Sequence, residues 1–567
     1  MRVALLGGAS FRRPALVVLV GLVGSTPVVG QEVGVGYGVT DRYERRAGVD
    51  VLHYEIGIEL PAEGRMVRGR TGILYEATSE EGISDLALDF GPMTVDSVRV
   101  DGVPIPFAHD ADGRLRLKTP GTEPGARSEA VVWYHGEPVD GLIFGETAAG
   151  ARTVFADNWA DRAHLWFPSI DHPSDKATVE FDVVVPASWR VVANGVLLER
   201  TDLDGGRARS RWAESAEIPT YSMVIGATEF TVTPLGEAGG VDLAAWSYPA
   251  DSAAAAAMFS RTAEIVAFYD SLFGPFPYDK LAQIQSATKF GGMENASAIF
   301  YSAGSVATAL DDPERRTGNA SVVPHEIVHQ WFGDAVTEAD WNHLWLSEGF
   351  ATYFAAVFFE FHGGPEGRGA EELARRMRAM RTAVLDFQRT APEAAIHDPG
   401  LGPGEYEALL TDLNYEKGAW VLHMLRDLVG DPAFFETIRD YYATFRDGVA
   451  WTADFERVVE EASGEDLGWF FEQWIGRAGH PRIEIDVVPA GEDGRRWRVG
   501  LRQVQSGEPF RFPVDLRLEW DGGSRMERIW LEERGASWTF ETPAPVVDVA
   551  IDPHARLLWE PADDGPP

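Results

Sequence analysis

The residues with the clearest chemistry lie in one short run in the middle of the chain, residues 323–332. In that run His325 and His329 are four positions apart, which places both imidazoles on one face of a helix, about 6 Å apart along its axis. Imidazoles at that spacing can hold one zinc ion, with Zn–N distances of about 2.0–2.1 Å. Glu326 follows the first histidine and can lean toward a water beside the metal. Pro324 suits the first helical turn, where its missing N–H costs nothing.

A third ligand is expected, because a catalytic zinc usually takes three protein ligands and leaves the fourth position to water. Glu348 stands 19 residues beyond His329 and opens an apolar segment, residues 349–361, in which we predict the next helix. A carboxylate in such a segment is costly to bury unless it is paired or bound to a cation. The alternative is a glutamate that caps the helix at the solvent edge.

A second motif lies about 30 residues before His325 and consists of Gly291, Gly292, Met293, Glu294 and Asn295. Two adjacent glycines allow a ligand to approach the backbone closely. A fixed carboxylate beside them is a natural partner for the α-ammonium group that an exopeptidase must recognise. Taken alone, the motif also fits an ordinary Gly-Gly turn with a solvated glutamate.

In this order, Gly-Gly-Met-Glu-Asn, His-Glu-x-x-His and a glutamate after eighteen further residues resemble the aminopeptidase N family of gluzincin metallopeptidases, which includes the leukotriene hydrolase. Two further segments match the family, Phe-Pro-Tyr-Asp-Lys at residues 276–280 and Asn-Tyr-Glu-Lys-Gly-Ala at residues 414–419. The resemblance covers nearly all of the chain after its first thirty residues.

The resemblance implies a zinc-dependent aminopeptidase that removes N-terminal residues from peptides with a free N-terminus, with one Zn²⁺ per chain. By this resemblance the zinc ligands are His325, His329 and Glu348, and the general base is Glu326. Tyr415 would stabilise the oxyanion through its hydroxyl, Glu294 would anchor the substrate amine, and the backbone of Gly291 and Gly292 would lie beside the peptide. Met293 and Asn295 complete the predicted substrate-binding motif.

The chain departs from the family at three places. Ser347 stands where many members have asparagine. The stretch at residues 158–168 lacks the Gln or Glu that helps hold the substrate amine in relatives. We expect Asn158 or Asp161 to substitute, with recognition of the amine depending more heavily on Glu294. The sequence also stops after a C-terminal β segment, without the large helical domain of many relatives, which predicts a more open cleft.

Two other functions stay open. A thermolysin-type endopeptidase would use the same histidines and distant glutamate, but Glu294 in its glycine motif favours the exopeptidase. A peptide-binding protein that has lost catalysis is disfavoured because Glu326 and Tyr415 are both retained. Hydrolysis of a lipid epoxide has no support in the residues. The other histidines, such as His343 and His423, are interpreted as packed or surface residues.

The pattern of the chain predicts a multidomain α+β protein: an N-terminal all-β domain at residues 46–249, a thermolysin-like, mainly helical zinc domain at residues 250–477, and a small β-sandwich at residues 478–562. Apolar residues alternate with polar ones in residues 52–60, which indicates a half-buried strand. Helical spacing begins in residues 253–272 and continues in residues 371–387, 415–429 and 434–445. Strand character returns after residue 480.

Composition limits the class and the compartment. The 88 acidic and 50 basic residues give a net charge of −38, which disfavours nucleic-acid binding. The absence of cysteine excludes disulfides and thiolate metal ligands. Residues 1–30 combine a basic start with a short apolar run, the layout of a signal peptide, and residues 31–45 form a linker. We therefore expect an exported bacterial protein, periplasmic or secreted, without a membrane span. Its preferred first residue, natural substrate and oligomeric state are not predicted.

Overall fold

The computed structural model describes residues 48–363, 369–398, 400–491 and 495–562. The predicted signal peptide and linker, residues 1–30 and 31–45, lie outside the described residues. Within the described ranges, no helix combines the length and the hydropathy needed to cross a bilayer.

The first 180 or so described residues are built of strands, as the alternating pattern predicts. In the first strand Tyr54, Ile56 and Ile58 are buried and the residues between them are less so. The strands are β1 Val49–Glu59, β2 Val67–Ala77, β3 Ile83–Asp89, β4 Thr94–Val100, β5 Val103–Pro104, β6 Phe107–His109, β7 Arg114–Thr122, β8 Arg127–Gly136, β9 Leu142–Glu146, β10 Arg152–Ala156, β11 Lys176–Pro186, β12 Arg190–Ala193, β13 Val196–Leu203, β14 Arg207–Pro219 and β15 Ile225–Thr228. Eight of them form one sheet in the order β13-β14-β11-β1-β2-β8-β4-β5.

A second sheet belongs to the region that carries the predicted zinc motif. Its strands are β16 Thr231–Ala238, β17 Val241–Ser247, β18 Lys280–Ser286, β19 Gly292–Met293 and β20 Ala298–Ser302, in the order β16-β17-β18-β20-β19. The sequence pattern did not predict β18 to β20, because β18 is buried along nearly its whole length and shows no alternation. The sheet joins segments on both sides of residue 249, and the domain boundary placed there stays a prediction.

Helices form most of the rest of this region, with one short parallel strand pair among them. They are α1 Ser252–Met258, α2 Thr262–Phe273, α3 Ala303–Ala307, α4 Pro313–Arg316, α5 Val322–His329, α6 Trp345–His362, α7 Gly369–Thr390, α8 Gly418–Val429, α9 Asp431–Phe445, α10 Thr452–Ser463 and α11 Gly468–Trp474, and the strand pair is β21 Val336–Glu338 with β22 Gly448–Ala450. In the chain α1 and α2 lie between β17 and β18, and the other helices follow β20. The sequence predicts continuous helical spacing over residues 253–272, but the structure divides this segment into α1, which ends at Met258, and α2, which begins at Thr262. There the Ser260 hydroxyl donates to the Ala257 carbonyl, a local bond that competes with the helix.

The last region returns to strands, as predicted, and these form two sheets. Its strands are β23 Arg482–Pro489, β24 Arg496–Gln503, β25 Phe512–Trp520, β26 Gly523–Leu531, β27 Gly535–Glu541, β28 Val546–Ile551 and β29 Glu560–Pro561. One sheet has the order β27-β24-β23-β29 and the other β26-β25-β28. The β-rich, helical and β-rich regions together confirm the predicted α+β architecture.

An aromatic layer fixes the spacing of the two helices that matter most for the site. The Phe350 ring of α6 lies 4.9 Å from the Phe332 ring, just beyond the end of α5, and 5.1 Å from the Phe455 ring of α10. All three side chains are fully buried. Such ring pairs add about 0.5–1.5 kcal/mol each to the burial of their area, so α5 and α6 are held at a defined distance.

Candidate active site

The predicted metal ligands converge on one point between α5 and α6. The Nε2 atoms of His325 and His329 are 3.2 Å apart. Glu348, in the first turn of α6, brings its Oε2 to 3.2 Å from the His325 Nε2 and 3.3 Å from the His329 Nε2. Among the described residues, these three side chains are the one group of possible metal ligands whose ligand atoms all lie within 4.8 Å of one another.

The donor set fits a zinc ion. Two imidazoles and one carboxylate are a common protein ligand set for catalytic zinc. The buried Glu348 Oε2 accepts no hydrogen bond, although both imidazole nitrogens lie close to it. Burial lowers the pKa of His329, but the carboxylates of Glu348, Glu294 and Glu326 outweigh it and raise that pKa to about 10. The site therefore attracts positive charge, which is what a dication supplies.

The second nitrogen of His329 is held by two oxygens. Its Nδ1 lies 3.1 Å from the Phe332 carbonyl and 3.0 Å from the Ser347 hydroxyl. A proton on Nδ1 leaves the Nε2 lone pair free to face the ligand position. Ser347, the residue that departs from the family asparagine, thus contacts a ligand side chain. His343 does not: its Nδ1 lies 2.8 Å from the Thr452 hydroxyl.

Tyr415 comes from a π-helical turn, Leu413–Lys417, directly before α8. Single π turns often occur at functional sites. The hydroxyl of Tyr415 donates to the Glu348 Oε1 over 2.7 Å, and its ring is parallel to the His325 imidazole with the centroids 6.0 Å apart. Burial and then the Glu348 charge raise the pKa of Tyr415 well above its usual value, so the hydroxyl keeps its proton at neutral pH.

Two glycines allow Tyr415 to approach Glu348. A Cβ on Gly349 would lie 2.9 Å from the Gly418 Cα, and a Cβ on Gly418 would lie 2.9 Å from the Gly349 Cα. Helices α6 and α8 therefore touch backbone to backbone one residue after Glu348 and three residues after Tyr415. Any side chain at either position would push the helices apart.

Glu326 packs against the edge strand β19. A Cβ on Gly292 would lie 2.1 Å from the Glu326 Oε1, so only glycine leaves room for this carboxylate. Burial raises the pKa of Glu326 well above its usual range; the His329 charge opposes this shift, and the Glu294 and Glu348 charges add to it. The second glycine of the motif thus has a steric role that the sequence did not specify.

Gln330, to which the sequence assigned no role, ties the glycine motif to α5. Its amide Nε2 donates to the Glu294 carbonyl over 2.5 Å and to the Asp334 carboxylate over 2.9 Å. Its Oε1 accepts the Ser297 N–H over 2.7 Å. Because Gln330 directly follows His329, the loop that carries Glu294 is bound to the helix that carries the histidines.

A cavity of about 220 Å³ contains these groups. It is lined by Trp159, Phe290, Gly291, Gly292, Met293, Glu294, His325, Glu326, His329, Glu348, Leu410 and Tyr415. Every predicted site residue except Asn295 is in this lining, and the Asn295 amide instead donates to the Met293 carbonyl. The sequence missed Trp159, Phe290 and Leu410, because a lone aromatic or leucine carries no motif.

Neither residue that was expected to replace the family Gln or Glu lines this cavity. The Asn158 amide donates to the carbonyls of Thr220 and Met223, and its oxygen accepts the Trp166 indole N–H. Asp161 accepts the Gly404 N–H over 2.8 Å. Among the described residues of that stretch, only Trp159 lines the cavity, and Glu294 lies in the same lining.

Comparison with known proteins agrees with this geometry. The model of the peptidase M1 N-terminal domain matches residues 51–222, and that of the peptidase family M1 domain matches residues 257–474. Probable aminopeptidase 2 of Sulfurisphaera tokodaii is 26% identical over 83% of this chain and 59% of its own length. The leucyl aminopeptidase of Saccharolobus solfataricus is 25% identical over 84% of this chain and 59% of its own length. The chain thus spans somewhat more than half the length of these relatives.

The fold has a solved counterpart. The M1 zinc metallopeptidase from Deinococcus radiodurans is 25% identical, and the match covers 76% of this chain and 95% of that one with a TM-score of 0.63. The two domain models cover both the β-rich region and the region with the His-His-Glu cluster. This chain therefore belongs to peptidase family M1.

Proposed function

We propose that this protein is a zinc-dependent aminopeptidase that hydrolyses the first residue from peptides with a free N-terminus. The observation that carries the proposal is the presence of the Glu294 carboxylate in the same small cavity as the His-His-Glu cluster and Glu326. A carboxylate that can pair with an ammonium group, set beside hydrolytic machinery, suits an exopeptidase.

His325, His329 and Glu348 would hold one Zn²⁺ through the two Nε2 atoms and the Oε2. When bound, this ion polarises the scissile carbonyl and lowers the pKa of water toward about 7. The convergence of these three atoms and the unsatisfied Glu348 Oε2 support this ligand assignment.

Glu326 accepts the proton of the attacking water at its carboxylate and later returns it to the leaving amine. Gly292 supports this role, because the missing side chain lets the carboxylate stand at the cavity wall. Tyr415 donates its hydroxyl proton to the oxygen that becomes negative in the transition state. In this structure the Tyr415 hydroxyl donates to the Glu348 carboxylate, so it must turn from Glu348 to the substrate oxygen when substrate binds. Loss of one such donor costs about 10²–10³ in rate.

Glu294 binds the substrate amine and so sets the distance from the N-terminus at which cleavage occurs. The backbone of Gly291 and Gly292 lies beside the peptide. A thermolysin-type endopeptidase has no need for a buried carboxylate at this place, and a binding protein without catalysis has no need for Glu326. The buried state of Glu294, which is 6% exposed, supports a charged partner during function.

The test uses leucine 4-methylcoumaryl-7-amide and its N-acetyl form on purified protein, with zinc measured by mass spectrometry. We expect one zinc per chain and hydrolysis of the free-amine substrate alone. Glu326→Gln should keep the zinc and lose at least about 10³ in kcat, because the amide cannot accept the proton. Equal turnover of the acetylated substrate would favour the endopeptidase, and wild-type turnover by the variant would remove Glu326 from the mechanism.

Export and domain boundaries belong to the same proposal. The basic and apolar pattern of residues 1–30 supports a cleaved signal peptide and a periplasmic or secreted protein. The change of pattern near residues 249 and 478 supports an N-terminal β domain at 46–249, a catalytic domain at 250–477 and a sandwich at 478–562. N-terminal sequencing of the expressed protein checks the first of these.

A further inference from the structure

We infer that Trp159 and Phe290 form the pocket that selects the first residue of the substrate, and that this pocket favours large apolar and aromatic side chains. The inference rests on the proposed aminopeptidase function. It adds the substrate class, which neither the family nor the metal site determines.

The cavity lining divides into a polar part and an apolar part. Glu294 would take the ammonium group, and Glu326 with the metal ligands would face the scissile carbonyl. Both groups are attached to the Cα of the first residue, so its side chain is left with the remaining walls. Those walls are Trp159, Phe290, Met293 and Leu410.

The aromatic walls are rigid. The rings of Trp159 and Phe290 meet edge to face, with centroids 5.9 Å apart and an interplanar angle of 85°. On its other side Trp159 packs against Trp341 at 5.3 Å, and it is only 3% exposed. A ring held on two sides presents a fixed apolar surface to a ligand.

One buried ion pair holds both aromatic residues, although they are far apart in sequence. Arg162 donates from Nε to the Trp159 carbonyl over 2.8 Å and lies over the Phe290 ring with 6.0 Å to its centroid. The same guanidinium pairs with the Asp157 carboxylate over 2.8 Å, and Asp157 accepts the Lys289 N–H over 3.0 Å. The β-rich region and the glycine motif are thereby joined at the pocket.

The charge of the lining excludes an acidic first residue. Glu294, Glu326 and Glu348 lie in the cavity, and the described lining includes no lysine or arginine. Arg162, which lies over the Phe290 ring, is already paired with the Asp157 carboxylate. A basic first residue gains little either, because Glu294 is occupied by the substrate amine and the other walls are apolar. Removal of one apolar wall should change discrimination between large and small side chains by about 10–200-fold.

The experiment measures kcat/KM of the full-length, zinc-loaded protein on coumaryl amides of Phe, Leu, Ala, Glu and Arg. We expect Phe and Leu to exceed Ala by at least about tenfold and Glu to be the poorest. Trp159→Ala and, separately, Phe290→Ala should each lower the Phe-to-Ala ratio about tenfold or more. Trp530→Ala, at an exposed tryptophan of the C-terminal sandwich, serves as the matched control and should leave the ratio unchanged.

A Phe-to-Ala ratio near one in the wild type, a preference for Glu or Arg, or an unchanged ratio in both pocket variants would each overturn the inference. These results leave the aminopeptidase function in place. Hydrolysis of none of the free-amine substrates would instead overturn the proposed function, and the inference with it. Because Phe290 is half-buried, its variant remains informative if Trp159→Ala does not fold.

Discussion

The steric fit between Gly292 and Glu326 makes the sharpest prediction. Gly292→Ala adds one methyl group to strand β19, and that methyl would lie 2.1 Å from the Glu326 Oε1 and 2.4 Å from its Cδ. Gly292 is held by the pairing of the edge strand β19 with β20, whereas the Glu326 carboxylate is the far end of a flexible side chain. We therefore expect the carboxylate to move rather than the strand.

The size of the movement sets the size of the effect. An ordinary contact requires at least 3.4 Å, so the carboxylate must shift by about 1.3 Å from its present 2.1 Å. A displacement of about 1 Å at a reacting group costs on the order of 10² in rate. This corresponds to about 2.7 kcal/mol of transition-state stabilisation. Zinc binding should be unaffected, because the three atoms nearest to the new methyl all belong to Glu326 and none belongs to a metal ligand.

The assay compares kcat for the leucine amide, zinc content and thermal midpoint of the variant with those of the wild type. Gly291→Ala is the matched control, since a Cβ there meets nothing within 4 Å. We expect Gly292→Ala to lose about 10² in kcat with full zinc, and Gly291→Ala to lose far less. If the two variants lose the same amount of kcat, or if Gly292→Ala has wild-type kcat, the steric reasoning is wrong.

Two further predictions concern the helix contact and the response to acid. Gly418→Ala should separate α6 from α8 by about 0.5 Å or more, since its Cβ would lie 2.9 Å from the Gly349 Cα; we expect a lower kcat and a lower thermal midpoint with zinc retained. Burial lowers the pKa of His423 to about 4, below the 6.5 of a free histidine. The unfolded chain then binds the extra proton between these values, so stability should fall as the pH drops from 6.5 toward 4, by up to about 1.4 kcal/mol per pH unit for this residue.

Each prediction has its own contrary result. An unchanged thermal midpoint in Gly418→Ala would mean that the helices repack without cost. For His423 the measurement is the thermal midpoint from pH 8 to pH 4 in the wild type and in His423→Gln. The glutamine variant should show a shallower loss in acid; an identical slope in both proteins would show that His423 does not bind an extra proton on unfolding.

The local chemistry of the site was predictable from the sequence because it depends on helix geometry. If residues 322–329 form a helix, His325 and His329 must share one face of it. The structure places their two Nε2 atoms 3.2 Å apart. The resemblance to a family supplied Tyr415, which has no local signature. The strands at residues 280–302 were missed, since a buried strand and a buried helix segment can share the same apolar pattern.

The sequence by itself predicted which residues could bind the metal, the order of the β-rich and helical regions, and the chemistry that their residue types allow. Only the tertiary structure decided that Trp159 meets Phe290, that Gly349 touches Gly418, and that Gly292 makes room for Glu326. These contacts join residues 34 to 131 positions apart. Their distances depend on how sheets and helices pack, whereas a spacing of four residues is set by the pitch of one helix.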